Sequence, residues 1–551
     1  MGPSEGLRRG EEPYVGNHRT DGTGQVTNEA VQAAGRATRR ELLKATGVAA
    51  AGLLGAPAVG TLSRVLAQTP RYGGVLTFAS AALPASIEPH LEGADIWQQR
   101  KPLIYENLVV IDDELMPQPQ LAERWERISD VEYVFYLRRG VRFHNGKEMD
   151  AEDVKYSYER VMDPKTGSGG RGDLIMIQSI EVIDRYTLRF KLHEPSATFL
   201  INLGGKYNGV IPKDYVKTGT ELQANAVGTG PFRVERFEPN QRLSLRRFEQ
   251  YWDAGKPYLD GVEYIAVPDE SSIVAGLRAG RIHAAVLATP INFQVVSRER
   301  NLNSIRAPAI RWVVLDLAGD MEPTSNPDVR RAIALAIDRE TVLQIAGAGL
   351  GDRLGVLPPA MTYWAVPWQE LPNQVRDVSA ARALLRKAGY ARGLDMRIRN
   401  ITGFPELADS LQVIVDNLRE AGINVTVETV DIGVWIRDWI QRQAPPTMNV
   451  WGGFVDPDQT FYRHYHSPPK GMDFRRWNNP EVDRLLDEGR VTLEPEKRRP
   501  IYRRVQHLMA EDPISVPLYA PNLLYSLQRS VQGFRPHPTG FHYGLRFAWM
   551  A

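Results

Sequence analysis

Few residues in this chain are spaced for covalent chemistry. Asp456 and Asp458 flank Pro457 in the run N-V-W-G-G-F-V-D-P-D-Q-T-F at residues 449–461, and two carboxylates this close could share acid–base work. A proline between them fits turn residues better. His464 and His466 alternate in Y-R-H-Y-H; on one strand face they could hold a metal, yet no third ligand stands nearby in the sequence. Gly228-Thr229-Gly230 is too short to cradle a phosphate and opens a strand. The chain has no G-x-S-x-G and no H-E-x-x-H. It also has no cysteine, which removes thiol catalysis, zinc–thiolate sites and disulfides together. The expectation is a protein that is not an enzyme and uses no cofactor or resident metal.

The same stretch suits binding better than catalysis. Gly452 and Gly453 lack a Cβ and allow chain or ligand to approach closely. Trp451 and Phe454 set flat faces beside that opening, while Asp456 and Asp458 add charge and turn propensity. Apolar walls with a few placed polar groups are what a small-molecule site needs. A buried strand ending in a surface turn explains these residues too.

Length and charge bound the rest. At 551 residues the chain exceeds one hydrophobic core, so two or three domains are expected. Lys plus Arg at 67 against Asp plus Glu at 66 gives no basic excess for nucleic acid. The pairs Arg138-Arg139 and Arg498-Arg499 read as solvated charge. No apolar run long enough to span a membrane occurs in the body of the chain. Residues 1–37, rich in glycine and charge, read as disordered. Thr38-Arg39-Arg40-Glu41-Leu42-Leu43-Lys44 then precedes a short, mildly apolar segment at 45–59, the order of a twin-arginine export signal. Val65-Leu66-Ala67 offers small residues for cleavage, so the mature chain should start near Gln68. With no cysteine to carry lipid, the product is expected free in a periplasm.

Alternating apolar residues predict strands at 72–80, 133–137, 187–192, 232–237 and 262–267. Asp150, with Asp153 three residues on, caps a helix to about Met162. A helix at 271–279, ended by Gly280, leads to a strand at 283–287; strand, helix, strand in this spacing argues a parallel α/β layer. Later helices open at Asn326-Pro327, Ser379 and Asn479-Pro480. Another, at 409–421, ends at Gly422 and feeds a strand at 423–427; the next strand candidate ends at Trp451. Pro500, inside a helical run at 495–509, should kink it or set its start.

Five stretches in register resemble the extracellular solute-binding proteins of ABC importers, the family typified by dipeptide-, oligopeptide- and nickel-binding proteins. They are I-Y-E-N-L-V-V-I-D-D-E-L to D-A-E-D-V-K-Y-S at 104–157, G-T-G-P-F-R-V to L-R-A-G at 228–280, V-R-R-A-I-A-L-A-I-D-R-E at 329–340, residues 451–461, and N-N-P-E-V-D-R-L-L-D through V-P-L-Y at 516–519. The resemblance implies an α/β fold of two lobes, the type II periplasmic binding protein fold, with an extra α+β domain inserted in the first lobe. Lobe I would comprise 68–103, 225–308 and 516–551, the inserted domain 104–224, and lobe II 309–515. It further implies a monomeric receptor that holds a small-molecule ligand between its lobes and delivers it to the permease subunits. A periplasmic hydrolase, or a sensor or chaperone on the same fold, is the alternative.

Peptide-binding members of that family hold the ligand's α-amino group with an aspartate just after the Trp-Gly stretch. Phe454 stands there in this chain. The expected ligand therefore has a hydrophobic or aromatic body, packed on Trp451 and Phe454 with Gly452, Gly453 and Trp312 nearby. Asp456 could serve as the acid if the turn folds back, and Ser86, Glu88 and His90 could add polar contacts from the first lobe.

Overall fold

The computed structural model describes residues 69–215, 221–223, 225–471 and 474–551. The predicted disordered region and export signal at 1–67 lie outside them.

The parallel layer predicted around the first strand is present. Val75–Ser80 runs parallel to Gly261–Ala266 on one side and to Ala284–Val286 on the other. The crossover helix Glu270–Arg278 joins those two neighbours and buries Ile273, Val274 and Leu277. It starts one residue before the predicted Ser271, because the Asp269 carboxylate accepts from the Ser271 and Ser272 amides. Seven strands make this sheet, in the order Leu302–Ala307, Leu523–Gln528, Ala284–Val286, Val75–Ser80, Gly261–Ala266, Arg242–Arg247 and Phe232–Glu238.

A second sheet has six strands, in the order Gly351–Asp352, Ser515–Pro521, Arg311–Asp316, Thr447–Gly452, Leu394–Ile401 and Ile423–Val430. Leu394–Ile401 and Ile423–Val430 pair in parallel, linked by the helix Pro405–Ala421. That helix begins at Pro405 rather than 409, since proline already has the dihedral a first helical position needs. It ends where Gly422 takes φ +92°, a left-handed conformation that glycine adopts without strain. The helix predicted to open at Ser379 is capped by Asp377, whose carboxylate receives the Ala380 amide. The helix containing Pro500 begins at Pro495 and runs through it to Glu511. Ser515–Pro521 belongs to this second sheet, so the final return to the seven-stranded sheet falls at Asn522 and not at 516.

Residues 122–192 build a third, antiparallel sheet of four strands in the order Ala122–Ser129, Glu132–Leu137, Thr187–Leu192 and Ile177–Asp184. Phe135, Phe190, Phe199 and Tyr158 pack in its core, edge to face or tilted. The helix Ala151–Met162 lies against it, opened by the reciprocal Asp150–Asp153 capping box.

One local prediction is overturned beside the Gly-Gly stretch. His464 and His466 do not share a strand face, because Pro457–Tyr465 is a helix. Asp456 caps it, Gln459 answers from the third position and Pro457 takes the first, so the chain enters a helix directly after the strand. His464 then sits inside that helix and His466 follows its end.

Candidate ligand-binding site

A cleft of about 1290 Å³ opens where the three sheets meet. Residues 309–311 and Leu523, at the two passages between the larger sheets, line it. The strand end 450–455 and the helix Pro457–Tyr465 contribute one wall. Residues 169–176 and 193–207, beside the four-stranded sheet, contribute another, with 537–541 of the C-terminal segment.

Four predicted residues meet in this wall: Trp451, Gly452, Gly453 and Phe454. Trp451 closes the strand Thr447–Gly452, and its indole Nε1–H donates to Asp316 Oδ2 at 2.8 Å. Asn449 Nδ2 reaches the same oxygen at 2.7 Å, while Arg475 Nε and Ser515 Oγ donate to Oδ1 at 2.7 and 2.5 Å. Arg475 also lies over the Trp451 and Tyr465 rings, 5.3 and 4.3 Å from their centroids. Behind the wall, the His464 ring stands 4.7 Å from Trp451 and 5.3 Å from Phe454. Burial, helped by Arg475 and Arg463, lowers the His464 pKa far enough that the ring packs as a neutral aromatic.

The two glycines serve the chain's own geometry. A Cβ on Gly452 would crowd the Ile310 carbonyl on the adjoining segment at 2.9 Å. Gly453 takes φ +82°, and its amide donates to that same carbonyl at 3.2 Å.

The other predicted residues lie away from the cleft. Trp312 pairs directly with Trp451 across the strands but is buried with Val314, Leu354 and Ala520, a support beneath the wall. Asp456 is wholly buried; as helix cap it receives the Asp458 amide, and Arg498 clamps it with two bonds of 2.8 Å. It cannot fold back to replace the missing acid, because the cap and the clamp occupy its carboxylate. Burial opposes a charge on Arg498, but Asp456 outweighs that and raises its pKa. Ser86, Glu88 and His90 form a junction elsewhere. Ser86 Oγ accepts the Glu88 amide, and Arg160 on the helix Ala151–Met162 bonds both Glu88 Oε1 and His90 Nδ1 at 2.7 Å. His90 Nε2 meets the Gly209 carbonyl at 2.7 Å. Burial and then Arg160 bring its pKa down to about 3, so the ring is neutral and its Nε2–H is the donor.

Sequence reasoning passed over Asp173, Tyr207, Arg463 and Arg490, which also line the cleft. Arg490 bonds Asp458 at 3.0 Å and lies 3.3 Å from the Tyr462 ring centroid. Only the helix that replaced a predicted turn brings Arg463 to this wall; its residue type carried no signal. Among the described residues, no group of three or more His, Asp or Glu side chains is arranged to hold a metal ion. No described helix is long and apolar enough to cross a membrane.

The chain belongs to the bacterial extracellular solute-binding proteins, family 5: the family model, covering the middle of such proteins, matches residues 116–473. Among its relatives, the glutathione-binding protein GsiB of Salmonella paratyphi A is 25% identical over 474 residues, 83% of this chain and 91% of that one. A probable di/tripeptide-binding protein 5 of Pseudomonas aeruginosa is 28% identical over 451 residues, 77% of this chain and 85% of that one. Among solved structures, the periplasmic binding protein DppA of Helicobacter pylori, in complex with the peptide STSA, superposes with a TM-score of 0.72 at 25% identity, covering 87% of this chain and 98% of that one. CtaP of Listeria monocytogenes shares the fold with a TM-score of 0.79 at 21% identity, covering 87% of this chain and all of that one. The fold is therefore the two-lobed α/β fold of these binding proteins.

Proposed function

We propose that this protein is the periplasmic receptor of an ABC importer, which captures an organic solute between its lobes and hands it unchanged to the permease. The observation that carries this reading is the aromatic-walled cleft at the passages between the two larger sheets. Lobe I then comprises residues 70–103, 225–308 and 522–551, lobe II comprises 309–521, and 104–224 form an inserted domain. Ligand held in such a cleft favours whichever lobe arrangement binds it more tightly, and the permease reads that arrangement. Export by the twin-arginine route and a monomeric state complete the proposal.

Relatives named for glutathione and short peptides suggest a peptide-like solute. The wall itself favours a ligand with an apolar or aromatic body, set on Trp451 and Phe454. At about 1290 Å³ the cleft exceeds the roughly 1,000 Å³ upper range of small-molecule pockets, so the solute can be larger than one amino acid. A thermal-shift panel of peptides, opines, sugars and Ni²⁺ tests the reading, with native mass spectrometry of protein taken from its own periplasm. Binding of one class at micromolar levels supports it, since a ligand at 100 times its Kd stabilises by about 2.7 kcal/mol. Turnover of a bound solute would overturn it.

A further inference from the structure

Several of the cations around the cleft are already paired. Arg311 pairs with Glu406 at 2.5 Å, Arg490 with Asp458 at 3.0 Å and Lys470 with Asp487 at 2.8 Å. Arg463 differs. It projects into the cleft from the helix Pro457–Tyr465, remains exposed, and has no hydrogen bond or ion pair among the described residues. Its neighbour His464 is buried and neutral, so it supplies no competing charge.

Asp173 and Tyr207 line the same cleft, and both interact electrostatically with Arg463. Tyr207 is plugged between Gly93, Gly169 and Gly170, where a Cβ on any of the three would collide with its ring or hydroxyl. Lys206 lies over the Tyr207 ring at 5.4 Å. Asp173 interacts electrostatically with both Arg463 and Lys206, and Asp95 and Glu194 line the cleft as well. A guanidinium presents a planar fork that matches a carboxylate in two parallel bonds.

We propose that Arg463 anchors a carboxylate, so that the solute meets the Trp451–Phe454 wall through an anionic group and an apolar body. The proposal rests on the receptor reading above and names what that receptor selects. An apolar ring occupies position 454, and Arg463 brings a positive charge to the same cleft.

The experiment compares N-acetyl-phenylalanine, its amide and phenylalaninamide by thermal shift and calorimetry, with glutathione as a larger anion. The acids are expected to bind, and the amides about 10- to 100-fold more weakly, the range a charge-assisted hydrogen bond spans. Arg463→Gln should erase that difference, while Arg463→Lys restores part of it. If Arg463→Gln weakened acid and amide equally, Arg463 would act in closing the cleft and the proposal would fall. Equal binding of acid and amide by the wild type, or silence with every anion, overturns it too. Binding of a sugar or of Ni²⁺ alone overturns the anion anchor and leaves the receptor reading standing. The receptor reading itself fails if a bound solute is turned over, or if no solute class binds and protein from its own periplasm carries no ligand.

Discussion

Trp451 presents its ring to the cleft while its indole N–H is held by Asp316, 2.8 Å away on the neighbouring strand. The same carboxylate receives Asn449, Arg475 and Ser515, so the orientation of this cleft wall depends on one buried carboxylate.

Trp451→Phe keeps an aromatic face but removes that donor. Asp316 retains three partners, so the expected loss of stability is about 1 kcal/mol, the usual net worth of one hydrogen bond. Asp316→Ala is expected to cost about 3–5 kcal/mol, because it breaks the buried ion pair with Arg475 and takes the acceptor from Asn449, Trp451 and Ser515 as well. Urea unfolding measures both, and tryptophan emission reports the freed indole. Equal losses in the two variants would show that the anion does not organise the wall.

The buried pair Asp456–Arg498 fixes the start of the helix that carries Arg463. Asp456→Ala removes a helix cap, worth about 1 kcal/mol, and strands a buried guanidinium, which costs about 3–5 kcal/mol. Adding Arg498→Met should recover part of the loss, since the orphaned charge goes with it. A double variant no more stable than Asp456→Ala would assign the whole effect to the cap. Arg463→Gln should change stability by less than about 0.5 kcal/mol, as exposed substitutions do.

The histidines give the protein an acid limit. Burial brings His90 down to about 3 and His144 to about 4, both below the value near 6.5 of an unfolded chain. Below pH 6.5 the unfolded chain therefore binds protons that the folded protein refuses. Stability is full above that pH and falls as the solution is acidified, until the folded values are reached near pH 4 and 3. The slope approaches about 1.4 kcal/mol per pH unit for each histidine in that window. His90→Gln should flatten this limb in urea unfolding between pH 7 and 4; an unchanged slope would place the acid sensitivity elsewhere.

The sequence disclosed the wall better than the rest of the cleft, for physical reasons. Trp451, the glycines and Phe454 lie in one unbroken run, so their meeting needs no long-range information. The parallel layer behaves alike: Val75–Ser80, the helix Glu270–Arg278 and its flanking strands follow from local periodicity and caps. Glu88 and His90 are different. Their partner Arg160 lies 70 or more residues away, and nothing local shows that its guanidinium consumes both side chains. Asp456 misled for a related reason: Asp-Pro-Asp serves a turn or a helix start equally, and the clamp that decides, Arg498, comes 42 residues later. Because that helix went unforeseen, so did Arg463.

Phe454 offers the most direct change of preference. It is half-buried on the wall, 5.3 Å from the His464 ring, at the position where the family resemblance implies an acid in peptide receptors. Phe454→Asp would place a carboxylate beside a neutral histidine and remove an apolar contact, costing about 1–3 kcal/mol of stability. It would also give an ammonium group its missing partner. The variant is expected to bind the dipeptide Phe-Leu at least 10-fold more tightly than the parent does, and to lose that gain when the amine is acetylated, since a charge-assisted bond is worth about 1.5–3 kcal/mol. Calorimetry with both peptides on both proteins decides the matter. Tight binding of Phe-Leu by the parent, with its amine required, would mean that another carboxylate already fills the role left open at position 454.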